Sequence, residues 1–66
     1  MFIIQSGEQY YMGGSYTVDD QRYPYMGPKS KAKPFLRQNV AQTVANTINN
    51  YAREIPKCIV VEGNDV

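Results

Sequence analysis

Between Pro34 and Pro56, apolar side chains recur at Leu36, Val40, Val44, Ile48, Tyr51 and Ile55, in steps of three or four residues. At about 100° per residue these positions fall within an arc of roughly 120°, which predicts one amphipathic helix with a single buried stripe. Ala41, Ala45 and Ala52 flank the stripe and permit close approach to a sheet. Gln38, Asn39, Gln42, Thr43, Asn46, Asn49, Asn50 and Arg53 fill the opposite side. Pro56 ends the helix because the residue before a proline is driven out of the helical region. The rest of a 66-residue chain must supply the surface on which this stripe packs.

Strand signals lie on both sides of the helix. Phe2-Ile3-Ile4-Gln5 suits a pleated strand and is followed at once by Ser6-Gly7, where glycine offers the positive φ of a tight turn. Gln9-Tyr10-Tyr11-Met12 then folds back; a turn formed by Ser6 and Gly7 sets Ile3 opposite Tyr10 and Phe2 opposite Tyr11. Gly13-Gly14 ends this second strand, and Ser15-Tyr16-Thr17-Val18 adds a short stretch that Asp19-Asp20 breaks. From Gln21 to Lys33 no period of 2 or 3.6 is found, and Pro24, Gly27, Pro28 and Ser30 mark an irregular loop. Lys57 to Glu62 forms the last strand, and Gly63 to Val66 a frayed tail. The expectation is an α+β fold: a three-stranded antiparallel sheet in the order 2-1-3, one helix packed on one face (ββαβ), and a long irregular loop between the second strand and the helix. Both faces of this sheet carry apolar residues, so the face without the helix needs the loop, a second copy or a foreign partner to cover it.

A chain this short forms one domain, and a single core of this size supplies about 3 to 5 kcal/mol, which argues against a deep, walled cleft. Histidine is absent, so no Ser-His or Cys-His pair and no histidine metal site can be built. The one cysteine, Cys58, opens the run Cys58-Ile59-Val60-Val61 and reads as a small buried apolar group in a reducing compartment. Asp19-Asp20 reads as a solvated turn, and Gly13-Gly14-Ser15 lacks the lysine and following helix of a phosphate loop. No enzyme activity and no cofactor are expected. The longest apolar run is far short of a bilayer span and the first residues do not form a signal peptide, which places the chain in the cytoplasm.

Phe2-Ile3-Ile4, Gly7, Tyr10-Tyr11, Tyr16-Thr17, Lys31-Ala32-Lys33-Pro34-Phe35, Val40-Ala41 with Val44-Ala45, and Val60-Val61-Glu62 form a pattern that resembles small uncharacterised ββαβ proteins of phages and prophages of Gram-positive bacteria. The likeness covers most of the chain. It departs at Gln21 to Ser30, which looks like an insertion, and at the amide-rich helix side, where such proteins carry Glu and Lys. The resemblance implies a mobile-element origin, a host-cell cytoplasmic location, and an interaction protein that inhibits or redirects a host nucleic-acid-handling or defence factor, of the CRISPR type for example.

Charge is unevenly placed although the net is only +1. Arg22, Lys29, Lys31, Lys33 and Arg37 are interleaved with Tyr23, Tyr25 and Phe35, with no acid among them. Tyrosine joins a large rigid ring to a polar tip and is enriched at recognition surfaces, and Tyr11 adds one more ring. Arg22, Tyr23, Tyr25, Lys29, Lys31, Lys33, Arg37 and Tyr11 are therefore the candidate binding residues, with a host protein as the expected partner. Two alternatives stand beside it: direct nucleic-acid binding through 22–37, where cations meet stacking rings, and a purely structural homodimer through the uncovered sheet face.

Overall fold

The computed structural model describes residues 1–63, and the expected fraying of Asn64 to Val66 lies outside the described residues. The chain folds as four strands and one helix: β1 (Phe2–Ser6), β2 (Gln9–Val18), β3 (Gln21–Gly27), a 3₁₀ turn at Lys29–Lys31, α1 (Gln38–Tyr51) and β4 (Cys58–Glu62). All strand pairs are antiparallel and the sheet order is β3-β2-β1-β4. The small α+β architecture stands, with the first strand between the second and the last. The expected count of three strands is corrected to four, and the helix follows the third strand rather than the second.

The extra strand comes from the segment read as loop. Val18 pairs with Gln21, so Asp19 and Asp20 are the two-residue turn of a β2–β3 hairpin. Both have positive φ, 51° and 66°, as a type I′ turn requires and as aspartate tolerates. β2 does not stop at its glycines either. Tyr11 pairs with Met26 and Ser15 with Pro24, so three residues of β2 stand against Tyr25 alone. Gly13 and Gly14 form this bulge at φ 98° and 78°. At the other hairpin Ser6 pairs with Gln9 and Gln5 with Tyr10. The turn is thus Gly7-Glu8, and the expected Ile3–Tyr10 and Phe2–Tyr11 pairs do not form.

Beyond Gln5, β1 and β2 diverge, and the chain after the 3₁₀ turn enters the fork. The Lys33 N–H donates to the Tyr11 carbonyl at 2.8 Å, and Phe35 exchanges two 2.8 Å backbone bonds with Phe2. This fixes the start of α1, which has no side-chain cap and no acid in its first turn. Packing holds the helix instead.

The buried side of α1 is Ala41, Ala45 and Ile48, continued by Ala52, against Ile4, Cys58 and Phe35, with Phe2, Tyr11, Val44, Tyr51, Ile55 and Val60 around them. The expected stripe is therefore rotated. Ile48 is in the core and Val44 is half-buried, but Val40 is 46% exposed; Leu36 and Ile55 lie outside α1, the first 83% exposed and the second half-buried. Alanine wins the central line because its single methyl lets the helix backbone settle close to the sheet, and the larger Val44 fills the flank. On the far face Ile3 is only 3% exposed, with Gly63 against it, whereas Ile59 is 49% exposed.

The C-terminal end of the helix and the loop after it are tied to the sheet by polar contacts. Ser6 Oγ donates to the Pro56 carbonyl at 2.6 Å, and Gln21 Nε2 donates to the Tyr51 carbonyl at 3.1 Å. Asn49, expected on the solvent-facing amide side, is structural. Its Oδ1 accepts from the Cys58 N–H at 2.7 Å while its Nδ2 donates to the Cys58 carbonyl at 3.1 Å.

Candidate docking site

The β2–β3 hairpin brings three tyrosines together. Tyr16 and Tyr23 are directly opposed in the register, and Tyr25 lies two residues further along the same side of β3. The Tyr16 and Tyr23 rings stack at 5.6 Å between centroids, and Tyr16 and Tyr25 lie 4.9 Å apart, tilted by 41°. Such offset rings attract one another and form a preassembled aromatic surface. With Gln9, Pro24, Met26 and Ile55 they line an open hollow of about 400 Å³.

Each wall has a local cause. The type I′ turn sets Tyr16 against Tyr23. The bulge holds Gly14 at φ 78° against the Tyr25 ring, where a Cβ would stand at contact distance, 3.4 Å. Ile55 arrives because α1 stops at Tyr51, short of the expected end at Pro56, and Ser6 pins the following loop at the Pro56 carbonyl. Burial first, and the neighbouring Glu54 carboxylate second, hold the Tyr23 phenol above the usual tyrosine range.

The structure does not gather the eight sequence candidates. Tyr23 and Tyr25 are in the hollow. Tyr11 packs against the core and its hydroxyl accepts the Gly14 N–H at 2.9 Å, so it supports the bulge instead of offering a surface. The Arg22 guanidinium lies 4.2 Å over the Tyr51 ring and donates from Nε to Ser15 Oγ at 2.9 Å. Lys29 and Lys31 sit on the 3₁₀ turn, the Lys33 ammonium is 5.9 Å from the Phe35 ring centroid, and Arg37 is the first residue before α1. The cations thus spread over the hairpin, the turn and the helix start. Tyr16, Gln9, Met26 and Ile55 were not singled out from the sequence. Tyr16 carried a usable signal: with Asp19-Asp20 as a two-residue turn, position 16 must face position 23.

Among the described residues no group of three or more histidine, cysteine or acidic side chains could hold a metal ion, and no helix is long and apolar enough to cross a membrane. No family model matches the chain, and neither a curated protein nor a solved structure matches it significantly.

Proposed function

We propose that the protein is a non-catalytic docking module that engages another protein through the Tyr16–Tyr23–Tyr25 hairpin face. The observation that carries this reading is the preassembled three-ring surface beside a hollow of mixed aromatic, proline and aliphatic lining. Rigid aromatic rings contribute large contact area at low ordering cost, and residues of this kind dominate protein interfaces. The resemblance to phage proteins extends the proposal to a host factor of nucleic-acid handling or defence as the partner, met in the host cytoplasm.

Charge favours a protein over a nucleic acid as the partner. The carboxylate of Glu54 neighbours Tyr23 and repels phosphate, while Arg22 is engaged with Ser15 and Tyr51 rather than turned to the rings. The test is affinity capture from a host lysate with wild type and with Tyr16→Ala and Tyr25→Ala, beside titration with a single-stranded oligonucleotide. Each substitution is expected to weaken capture of the same partner by about 1 kcal/mol or more. Oligonucleotide binding that falls steeply with salt and is lost when Lys31 and Lys33 are neutralised would replace this reading with the nucleic-acid one.

A further inference from the structure

The two strands that end the sheet are finished differently. In β3, Val18 and Gln21 flank a two-residue turn and exchange hydrogen bonds, so alternation turns the backbone groups of Arg22 and Pro24 outward. Position 24 has no N–H to offer, and the Arg22 carbonyl is met by Gln21 Nε2 at 3.5 Å. A proline on an outward position blunts an edge. β4 has no such device. Phe2 gives both its backbone bonds to Phe35, away from β4, so the Phe2–Glu62, Ile4–Val60 and Ser6–Cys58 pairs are the non-bonded ones. Cys58, Val60 and Glu62 therefore turn N–H and C=O out of the sheet. Asn49 satisfies both groups at Cys58. Among the described residues nothing does the same at Val60 or Glu62.

We propose that this edge pairs antiparallel with β4 of a second copy about a two-fold axis at Val61. That register sets Val60 of each copy opposite Glu62 of the other, uses all four outward groups of each chain at these residues, and leaves the Asn49–Cys58 clamp intact. An axis at Val60 would instead set Cys58 against Glu62 and displace Asn49. Charge also fits a second copy. Ile59, Val60 and Val61 are uncharged, and the Glu62 carboxylate is already 3.4 Å from its own chain's N-terminal ammonium, so no like charges oppose each other across the axis. The side of α1 that carries Asn49 carries Gln42 seven residues earlier, bonded to Asn46 at 2.9 Å. Amides donate and accept, so two such sides are complementary to each other, which lysine or glutamate rows would not be.

The resulting order, β3-β2-β1-β4-β4-β1-β2-β3, places the two tyrosine hairpins at opposite ends of one eight-stranded sheet. The dimer is then a bivalent form of the docking module.

The test uses the full chain with Val61→Cys. Residues opposed in a non-hydrogen-bonded antiparallel pair have Cα atoms about 4.5 Å apart, within the reach of a disulfide. Under mild oxidation V61C is expected to run as a covalent dimer on a non-reducing gel. I59C, whose counterpart in the second copy lies four residues along the strand, stays monomeric, as does wild type with its buried Cys58. By sedimentation equilibrium, E62P removes one outward N–H per chain and weakens self-association about tenfold or more relative to E62A. A wild-type chain that sediments as a monomer at millimolar concentration overturns the proposal and leaves the edge for a foreign strand. I59C crosslinking as readily as V61C overturns the register.

Discussion

Ile48 and Leu36 are both large aliphatic residues four-residue steps apart, yet one is 1% exposed and the other 83%. Truncating Ile48 to Ala removes buried methylenes and leaves a cavity beneath Ala45 and Ala52, at an expected cost of about 2 to 5 kcal/mol. That is comparable to the whole stability available to a chain of this size, so the variant is expected to be largely unfolded by circular dichroism at 25 °C. Leu36→Ala should stay within about 0.5 kcal/mol of wild type in urea titration. Equal effects at the two positions would mean that Leu36, two residues before α1, is packed in the core. Asn49 makes a second contrast. Replacing it with Ala strips two partners from Cys58 at once and is expected to cost about 1 to 3 kcal/mol, against a few tenths for Asn46→Ala, whose bond to Gln42 is exposed. Denaturant midpoints of the two variants separate these outcomes.

At the scale of elements, the β2 bulge organises both the sheet and the candidate site. Gly13 and Gly14 hold positive φ, the Tyr11 hydroxyl takes up the Gly14 N–H that the ladder leaves over, and the Lys33 backbone meets the Tyr11 carbonyl on the other side. Gly14→Ala is expected to cost about 1 to 2 kcal/mol from left-handed backbone strain, and relaxation of the bulge is expected to move the Tyr25 ring beside it. Tyr11→Phe should cost about 1 kcal/mol while leaving Tyr16, Tyr23 and Tyr25 in contact. Ring resonances of Tyr25 decide between a bulge that shapes the hollow and one that only kinks the strand. The same elements explain what the sequence revealed. β1, the start of β2, α1 and β4 were legible because each has a strong local period or composition. β3 was not, since Pro24 reads as a breaker unless its missing N–H is known to face outward on an edge. The helix was legible but its bounds and face were not: it begins after Leu36, and Ala41, Ala45, Ile48 and Ala52 follow the same spacing as the larger Val40 and Val44, so only the closeness of the sheet decides which line is buried. Tyr23 and Tyr25 were found by composition, whereas Tyr16 and Ile55 depend on a turn type and a loop path that no residue announces alone.

For the whole molecule, the ionisable groups that burial perturbs all point one way. Burial raises the Cys58 thiol, opposed in part by its hydrogen bond with Ser6, and it raises the Tyr51 phenol, opposed by the adjacent Arg22 charge; Tyr23 is raised by burial and by Glu54. In each case the folded state holds its proton to higher pH than the unfolded chain does. Unfolded Cys releases its proton at about pH 8.5 and Tyr at about pH 10. Below the first of these values both states are neutral at these groups and their contribution to stability is fully present. As pH rises through the unfolded value towards the folded one, the unfolded state binds fewer protons and stability must fall. With no histidine in the chain, no imidazole titrates between pH 5 and 8 to obscure this. Melting temperatures are therefore expected to begin falling near pH 8.5 and to fall further beyond pH 10. In Cys58→Ala the first part of the decline should vanish, although the starting stability is lower for the lost sulfur. Because Cys58 is buried and its carbonyl and N–H are held by Asn49, the thiol should also stay unreactive to a disulfide reagent at pH 8 in wild type and become reactive in Asn49→Ala, whose local opening is easier. A melting temperature that climbs between pH 8.5 and 10, or a wild-type thiol that reacts as fast as free cysteine, would show that the last strand does not seal the core in solution.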